Sequence, residues 1–322
     1  MDLKALLQEL REYDGLTGKS AIGGWARPFR QPDQGAEASF YGPGDDAGAV
    51  RVAGGYLLLS GEVMRPDLLV DPEFAGFCAV TVNVNDVYAM GGRPLGLLAM
   101  VISGGLDDLL REGFLAGLSA GLRHYDIPLL GGHTSPIEGP AAVAVSIAGF
   151  ARNLIRGGGA SPGDLLVAGV DLGGRPHERL FAWDSVTSAE PKRTLEKLEA
   201  LITVAENGLC SACRDISNPG ILGTLAMMCE ASGTGARVDL EAVPAPESVD
   251  LEWWLKAYPS LGFLFAAPTG RVDELGAVLT DAGIDRAVFG EVTEGPELVV
   301  ESGGESAIFL DLACTPITGI FC

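Results

Sequence analysis

The sequence predicts an α+β fold in two domains, and three observations carry that prediction. Its 322 residues suit two domains of ordinary size. Strand-like and helix-like segments mix in both halves. A glycine cluster, Gly157-Gly158-Gly159, is followed by Ser161-Pro162-Gly163-Asp164 and reads as a boundary. The domains are therefore expected at 1–156 and 157–322.

The elements follow in order. Leu3, Leu6, Leu7 and Leu10 are spaced as a short amphipathic helix, with Asp2, Glu9 and Glu12 among them, and no signal-peptide pattern appears. Tyr56–Ser60, Leu95–Ile102 and Ala141–Phe150 read as buried strands. Helices are expected between them, over 72–90 and 107–124, the second with Phe114, Leu115, Leu118 and Leu122 on one face. The first is ambiguous, because Val80, Val82 and Val84 alternate as in a strand. Phe74, Phe77, Cys78, Thr81, Asn85 and Tyr88 fall at helical spacings, and Gly91-Gly92 is a helix stop, so the helix is favoured. Asn83 and Asp86 then share a face. The second half offers strands at Leu165–Val170, Gly262–Ala266 and Leu298–Val300, and helices over 192–206, 220–231 and 272–282. Asn218 fits an N-cap and Pro219 the first helical position.

Composition excludes several functions. A formal net charge of −21 opposes binding to nucleic acid or to anionic lipid. Cysteines at 78, 210, 213, 229, 314 and 322 are too sparse for a disulfide framework. No apolar run reaches the ~18–20 residues of a spanning helix. The chain reads as a soluble, cytoplasmic protein with a large core, since 47% of it is hydrophobic.

Chemistry concentrates in a few places. Gly42-Pro43-Gly44-Asp45-Asp46 sets two carboxylates in a glycine-rich turn that lets backbone approach a polyanion. Such a pair would repel a phosphate unless a hard cation lay between, and Mg²⁺ is held in that way. An exposed acidic turn is the alternative. Asn85 and Asp86 are polar residues inside an apolar segment, costly unless paired or ligating. Gly131-Gly132-His133-Thr134 follows a strand, where the glycines give backbone access and His133 or Thr134 could meet phosphate or metal; a structural histidine is the plainer reading. Asp215 precedes a helix N-terminus, a place that attracts anions. Glu62 is a further candidate ligand. Lys19 is a candidate phosphate contact, although Thr17-Gly18-Lys19-Ser20 lacks the upstream glycine of a P-loop. Cys210-Ser211-Ala212-Cys213 has redox or metal spacing but no second pair, and reads more simply as two partly buried thiols on a helix end.

Taken in order, Gly44-Asp45-Asp46-Ala47, Asn85–Gly92, Gly131–Thr134 and Asp215-Ile216-Ser217 resemble the aminoimidazole ribonucleotide synthetase family. Thiamine-monophosphate kinase, selenophosphate synthetase and the hydrogenase-maturation carbamoyl dehydratase are its relatives. The resemblance covers nearly the whole chain. It implies an N-terminal domain that pairs with its twin in a homodimer to build a shared β-barrel, and a C-terminal α/β-sandwich domain. It implies ATP in a cleft, with Mg²⁺ held by Asp45, Asp46, Asp86 and Asp215, and a small-molecule substrate near Gly131–Thr134. Glu62 stands where the family carries an Asp. Ala21–Trp25 offers neither the Cys nor the Lys of selenophosphate synthesis.

The expected activity is therefore ATP- and Mg²⁺-dependent phosphorylation or activation of a small-molecule oxygen. In this reading Asp45, Asp46, Glu62, Asp86 and Asp215 hold metal. Gly44, Asn85, Gly131, Gly132 and Thr134 contact the nucleotide, and His133 and Lys19 act on substrate. The rival is a nucleotide-binding regulatory or scaffold protein without catalysis. A thiol redox or metal protein, through Cys210 and Cys213, would need a low thiol pKa.

Overall fold

Leu165–Val170 sorts its side chains between two apolar cores. Leu166, Ala168 and Val170 enter one and Val167 the other, because successive strand residues point to opposite faces. Its neighbour Gly262–Ala267 does the same, with Leu264 and Ala266 on one side and Phe263, Phe265 and Ala267 on the other. A sheet buried on both faces lies at the centre of the second half.

The computed structural model describes residues 2–30, 38–64, 66–104 and 107–321. Cys322 lies outside the described residues. The first half runs α1 (Leu3–Glu12), α2 (Asp14–Thr17), α3 (Ala21–Ala26), β1 (Phe40–Tyr41), β2 (Gly48–Val52), β3 (Gly55–Met64), α4 (Pro72–Ala89), β4 (Gly92–Ile102), α5 (Asp108–His124), β5 (Leu129–Ser135) and β6 (Ala142–Ala151). Next come β7 (Leu165–Val170), β8 (Arg175–Pro176), β9 (Ala182–Asp184), α6 (Pro191–Asn207), β10 (Ala212–Asp215), α7 (Gly220–Ser232) and β11 (Gly235–Asp239). The chain continues with α8 (Leu251–Lys256), β12 (Tyr258–Pro259), β13 (Gly262–Ala267), α9 (Val272–Asp281), β14 (Asp285–Thr293), β15 (Glu297–Ser302) and β16 (Glu305–Asp311).

One sheet has the order β1-β2-β3-β6-β4-β5, the second β10-β13-β7-β14-β11-β15-β16, and a small third β12-β9-β8. Both large sheets are mixed: β4 pairs β5, and β11 pairs β15, in parallel. Helices α4 and α5 pack on the inner face of the first sheet, and α6 and α9 on the facing side of the second. One core therefore joins both halves. A second core lies beyond the second sheet, under α7 and α8.

Helix α1 joins that second core through Leu3, Leu6, Leu7 and Leu10. Arg11 Nη1 ties it down by donating to the carbonyls of Ile308 and Phe309 at 3.2 Å. The start of the chain thus packs with the second half, although it precedes the first sheet in sequence. The first sheet is open among the described residues, with β1 and β5 at its edges, so no barrel closes within one chain. Its outer face exposes Leu59, Val63, Leu98, Ile102 and Leu130, with Val63 and Leu130 each 63% exposed.

Several local expectations need correction. Helix α7 begins at Gly220, and Asn218 does not cap it; Asn218 Oδ1 accepts from the Tyr13 hydroxyl at 3.2 Å instead. Gly220 has φ +71°, and a Cβ there would sit 1.9 Å from the Leu255 carbonyl oxygen, so only glycine fits. Asn83 stands one turn from Asp86 on α4, but it is fully buried and its Nδ2 donates to the Ala79 carbonyl at 2.9 Å. Cys213 lies within β10, not on a helix end. Strands β2, β10, β11, β14 and β16 escaped the periodicity reading because they are short, charged or, in β14, interrupted by a bulge between Val288 and Gly290.

Candidate active site

A cavity of about 620 Å³ opens where the two halves meet. Five pieces of chain converge on it. The turn before β2 supplies Asp45 and Asp46, β3 supplies Glu62, and the last turn of α4 supplies Asn85 and Asp86. The end of β10 supplies Arg214 and Asp215, and the helical turn after α2 supplies Lys19. Residues near the C-terminus, including Ile320 and Phe321, complete the wall.

That last segment is clasped by one buried carboxylate. Glu230, on α7, accepts from the backbone N–H groups of Ile317, Thr318 and Gly319 and from the Thr318 hydroxyl, at 2.7–2.8 Å. Four donors saturate a carboxylate and offset the burial of its charge. The clasp sets Phe321 against Gly44, where a Cβ would come within 2.4 Å of the ring at φ +130°. The glycine turn is therefore fixed from behind by the chain's far end.

The paired aspartates diverge. Asp45 Oδ2 accepts from Arg156 Nε at 3.0 Å and Oδ1 from the Gly157 N–H at 2.9 Å. Asp46 Oδ1 accepts from Arg214 Nη1 at 2.6 Å and Oδ2 from the Asp215 N–H at 3.3 Å. Arg214 also donates to the Gly44 carbonyl, and its buried Nε has no hydrogen-bond partner. Asp46 thus ties the turn to the second half, and Asp45 ties it to the junction between the halves.

Charge is otherwise poorly compensated. Burial pushes the Asp86 carboxyl well above the usual range, and the neighbouring charges of Asp215, Glu62 and Asp46 push it further. Asp215 is raised in the same way, by burial and then by Asp46 and Glu62, against weaker opposition from Lys19 and Arg214. Burial also raises Asp46, with Arg214 opposing. Glu62 is raised by burial and Asp46, with Lys19 opposing. Asp86 has one neutral partner, Ser60 Oγ, at 2.5 Å. Four carboxylates that sense one another in a buried cleft form a strong local sink for positive charge.

The donor set suits a hard divalent cation, which prefers oxygen ligands. Asn85 Oδ1 lines the same cleft, buried and without a hydrogen-bond partner. Among the described residues, no three His, Cys, Asp or Glu side chains converge closely enough to cage an ion by themselves. Mg²⁺ does not require that, because one or two carboxylates commonly share it with substrate phosphates.

The structure brings Asp45, Asp46, Glu62, Asp86, Asp215, Gly44, Asn85 and Lys19 to one cavity. It does not bring Gly131, Gly132, His133 or Thr134 there. These lie on the exposed edge strand β5 and line a separate cavity of about 310 Å³ against α5. His133 Nε2 is 3.1 Å from Ser135 Oγ. Gly132 has a packing reason of its own, since a Cβ would sit 1.8 Å from the Ala99 carbonyl oxygen on β4. Gly132 lets two parallel strands approach, and within this chain neither glycine lines the acidic cleft.

Sequence reasoning missed Arg156, Arg214 and Glu230. A signal existed for two of them. Arg214 adjoins Asp215, and Glu230 is a lone acid in an otherwise apolar helix, which demands partners. The thiol reading fails: burial raises the Cys210 thiol to about 12, and Cys213 is raised well above its ordinary value. That is opposite to an activated cysteine.

The chain is similar to known proteins in sequence and in fold. The AIR synthase related protein N-terminal domain matches residues 44–152, and the corresponding C-terminal domain matches residues 162–303. An uncharacterised protein of Synechocystis is 37% identical over 278 residues, 86% of each chain. The thiamine-monophosphate kinase of Pyrococcus abyssi is 27% identical over 277 residues, 81% of this chain and 86% of that one. The solved structure of AaThiL complexed with AMPPCP and TMP superposes with a TM-score of 0.62 at 22% identity, covering 81% of this chain and 88% of that one. It shares the two-domain α+β fold. By sequence, and in both of its halves, the chain belongs to the AIR synthase related proteins.

Proposed function

We propose that the junction cleft binds ATP with Mg²⁺ and that the protein phosphorylates or activates an oxygen of a small-molecule substrate. The observation that carries this reading is the convergence of Asp46, Glu62, Asp86 and Asp215 on one cavity, with Asp86 and Asp215 buried and all four carboxyls raised against few cations. Such a cluster is stabilised by a divalent cation and has no evident structural purpose without one. The kinase relative and the complex with AMPPCP, an ATP analogue, support the same choice of nucleotide.

Each residue then has a task. Asp86 and Asp215 would share Mg²⁺ with the nucleotide phosphates, with Glu62 beside them and Asp46 steadied by Arg214. When bound, the metal would neutralise charge on the transferring phosphoryl group. Lys19, the cation nearest Glu62 and Asp215 that is not committed to Asp45 or Asp46, would bind a phosphate oxygen. Asn85 Oδ1 would accept from the nucleotide or from metal-bound water. Phosphoryl transfer needs mainly positioning and charge neutralisation, so no dedicated general base is required.

We assign residues 1–156 and 157–322 as the two functional units, with α1 docked on the second. The exposed apolar face of the first sheet supports pairing with a second copy into a shared barrel, since a large apolar patch marks an interaction site. Calorimetric titration of ATP with Mg²⁺ tests the proposal on wild type, Asp86→Asn and Asp215→Asn. Each substitution is expected to weaken binding at least tenfold; equal affinity in all three removes the metal role.

A further inference from the structure

A second cavity of about 620 Å³ lies beside the first, lined on one side by the turn between β8 and β9. This turn crosses to the N-terminal end of α4. The His177 ring stacks on Phe74 with centroids 4.5 Å apart, and His177 Nε2 lies 3.3 Å from Asp71 Oδ2. His177 Nδ1 accepts from the Arg179 N–H at 3.2 Å. An acceptor role at Nδ1 places the proton on Nε2, toward Asp71. The imidazole is used up as a strut and is not a free base.

Arg179 differs from its surroundings. Its Nη2 donates to the Val70 carbonyl at 2.5 Å, and among the described residues it has no carboxylate partner. The acids around it are committed or exposed. Asp71 accepts from Phe74 N and pairs with His177. Asp184 accepts from Val186 N, Thr187 N and the Thr187 hydroxyl, and pairs with Arg175 at 3.3 Å. Glu73 and Glu178 are exposed, as Arg179 is, and among the described residues neither pairs with it. Arg179 and Phe74 line both cavities. In a chain with 22 Lys plus Arg against 43 Asp plus Glu, a guanidinium without a carboxylate at the junction of two cavities is out of keeping with its surroundings.

We infer that the second cavity is the subsite for the phosphoryl acceptor, and that Arg179 recognises an oxyanion on it, a phosphate or a carboxylate. The inference rests on the first cavity holding the nucleotide. With Nε and Nη1 uncommitted and Nη2 giving a hydrogen to the Val70 carbonyl, the guanidinium keeps charged N–H donors free for such a group. Phe74, Phe77 and Pro176 supply apolar wall for the rest of the molecule. The cavity volume falls in the range of small-molecule sites. Among the described residues Arg179 and Phe74 line both cavities, so an acceptor anchored at Arg179 lies beside the acidic cleft.

The test is calorimetry with inorganic phosphate and, separately, with acetate, on wild type, Arg179→Met and Arg179→Lys without nucleotide. ATP–Mg²⁺ binding is measured in parallel. Wild type is expected to bind one of the two anions, and which one identifies the oxyanion. Arg179→Met is expected to weaken that binding at least tenfold and Arg179→Lys to weaken it less, while both retain ATP affinity within twofold. Arg179 is exposed, so neither change threatens folding. Unchanged anion affinity in Arg179→Met overturns the subsite, as does loss of that affinity in Lys19→Met alone. Anion binding that depends on Arg179 with no ATP binding in wild type would overturn the nucleotide reading and leave Arg179 as an oxyanion site.

Discussion

The acidic cleft and the β5 edge both attracted attention in the sequence, and their surroundings separate them. In the cleft, Asp46, Glu62, Asp86 and Asp215 are crowded and starved of cations. At the edge, Gly131, Gly132 and His133 are exposed, and their backbone lies beside a single neighbouring strand. Buried charge without compensation is unfavourable until a ligand arrives, so it points to binding. An exposed apolar sheet face with a free edge is unfavourable until another surface covers it, so it points to assembly. Polar residues beside glycines look alike in sequence whichever of these they serve.

The largest expected effect tests the edge as an assembly surface. Leu130→Lys would place an unpaired charge in the proposed pairing face and weaken self-association by about 3 kcal/mol or more. Light scattering after size exclusion would read the shift from dimer to monomer; an unchanged dimer moves the interface elsewhere. Glu230→Ala attacks the cleft from behind. It strands four buried donors at 317–319 and should lower stability by about 2–3 kcal/mol, read as a lower urea midpoint. A loss below half that figure would mean the tail finds other partners.

Asp86→Asn comes next: about 1.4 kcal/mol of Mg²⁺-dependent ATP binding lost for each tenfold. His133→Ala should change that affinity less than twofold, and a loss equal to that of Asp86→Asn would erase the distinction between the two regions. The smallest effect is on pH dependence. The folded-state pKa values of Asp46, Glu62, Asp86 and Asp215 are raised. Their contribution to stability is full below the unfolded carboxylate value of about 4 and is lost as pH rises through the folded values. The unliganded protein should therefore weaken from acidic toward neutral pH, by urea denaturation at stepped pH. Asp86→Asn should flatten that slope, and a steeper one would contradict the assignment.

Much of this was legible in the sequence where the signal is local. Helix α4 announced itself through Phe74, Phe77, Thr81 and Tyr88 and through the stop at Gly91-Gly92. The donor types at 46, 62, 86 and 215 followed from the chemistry of acids in glycine-rich or apolar settings. Long-range pairing was not legible. Nothing near Asp46 says that Arg214, 168 residues away, would meet it, or that Asp45 would turn to Arg156. The role of Gly132 depends on the carbonyl of Ala99 in another strand. Helix α1 carries a clear apolar stripe, but the stripe does not name the surface it joins.

The Glu230 clasp has a consequence for how the protein is made. A ribosome delivers Asp45 and Asp46 early, but the wall that holds their turn arrives only with Ile317–Phe321. During synthesis the nascent chain carries a concentration of repelling acids with no finished chamber around it. Binding competence therefore waits until Ile317–Phe321 has been made, long after the acids themselves.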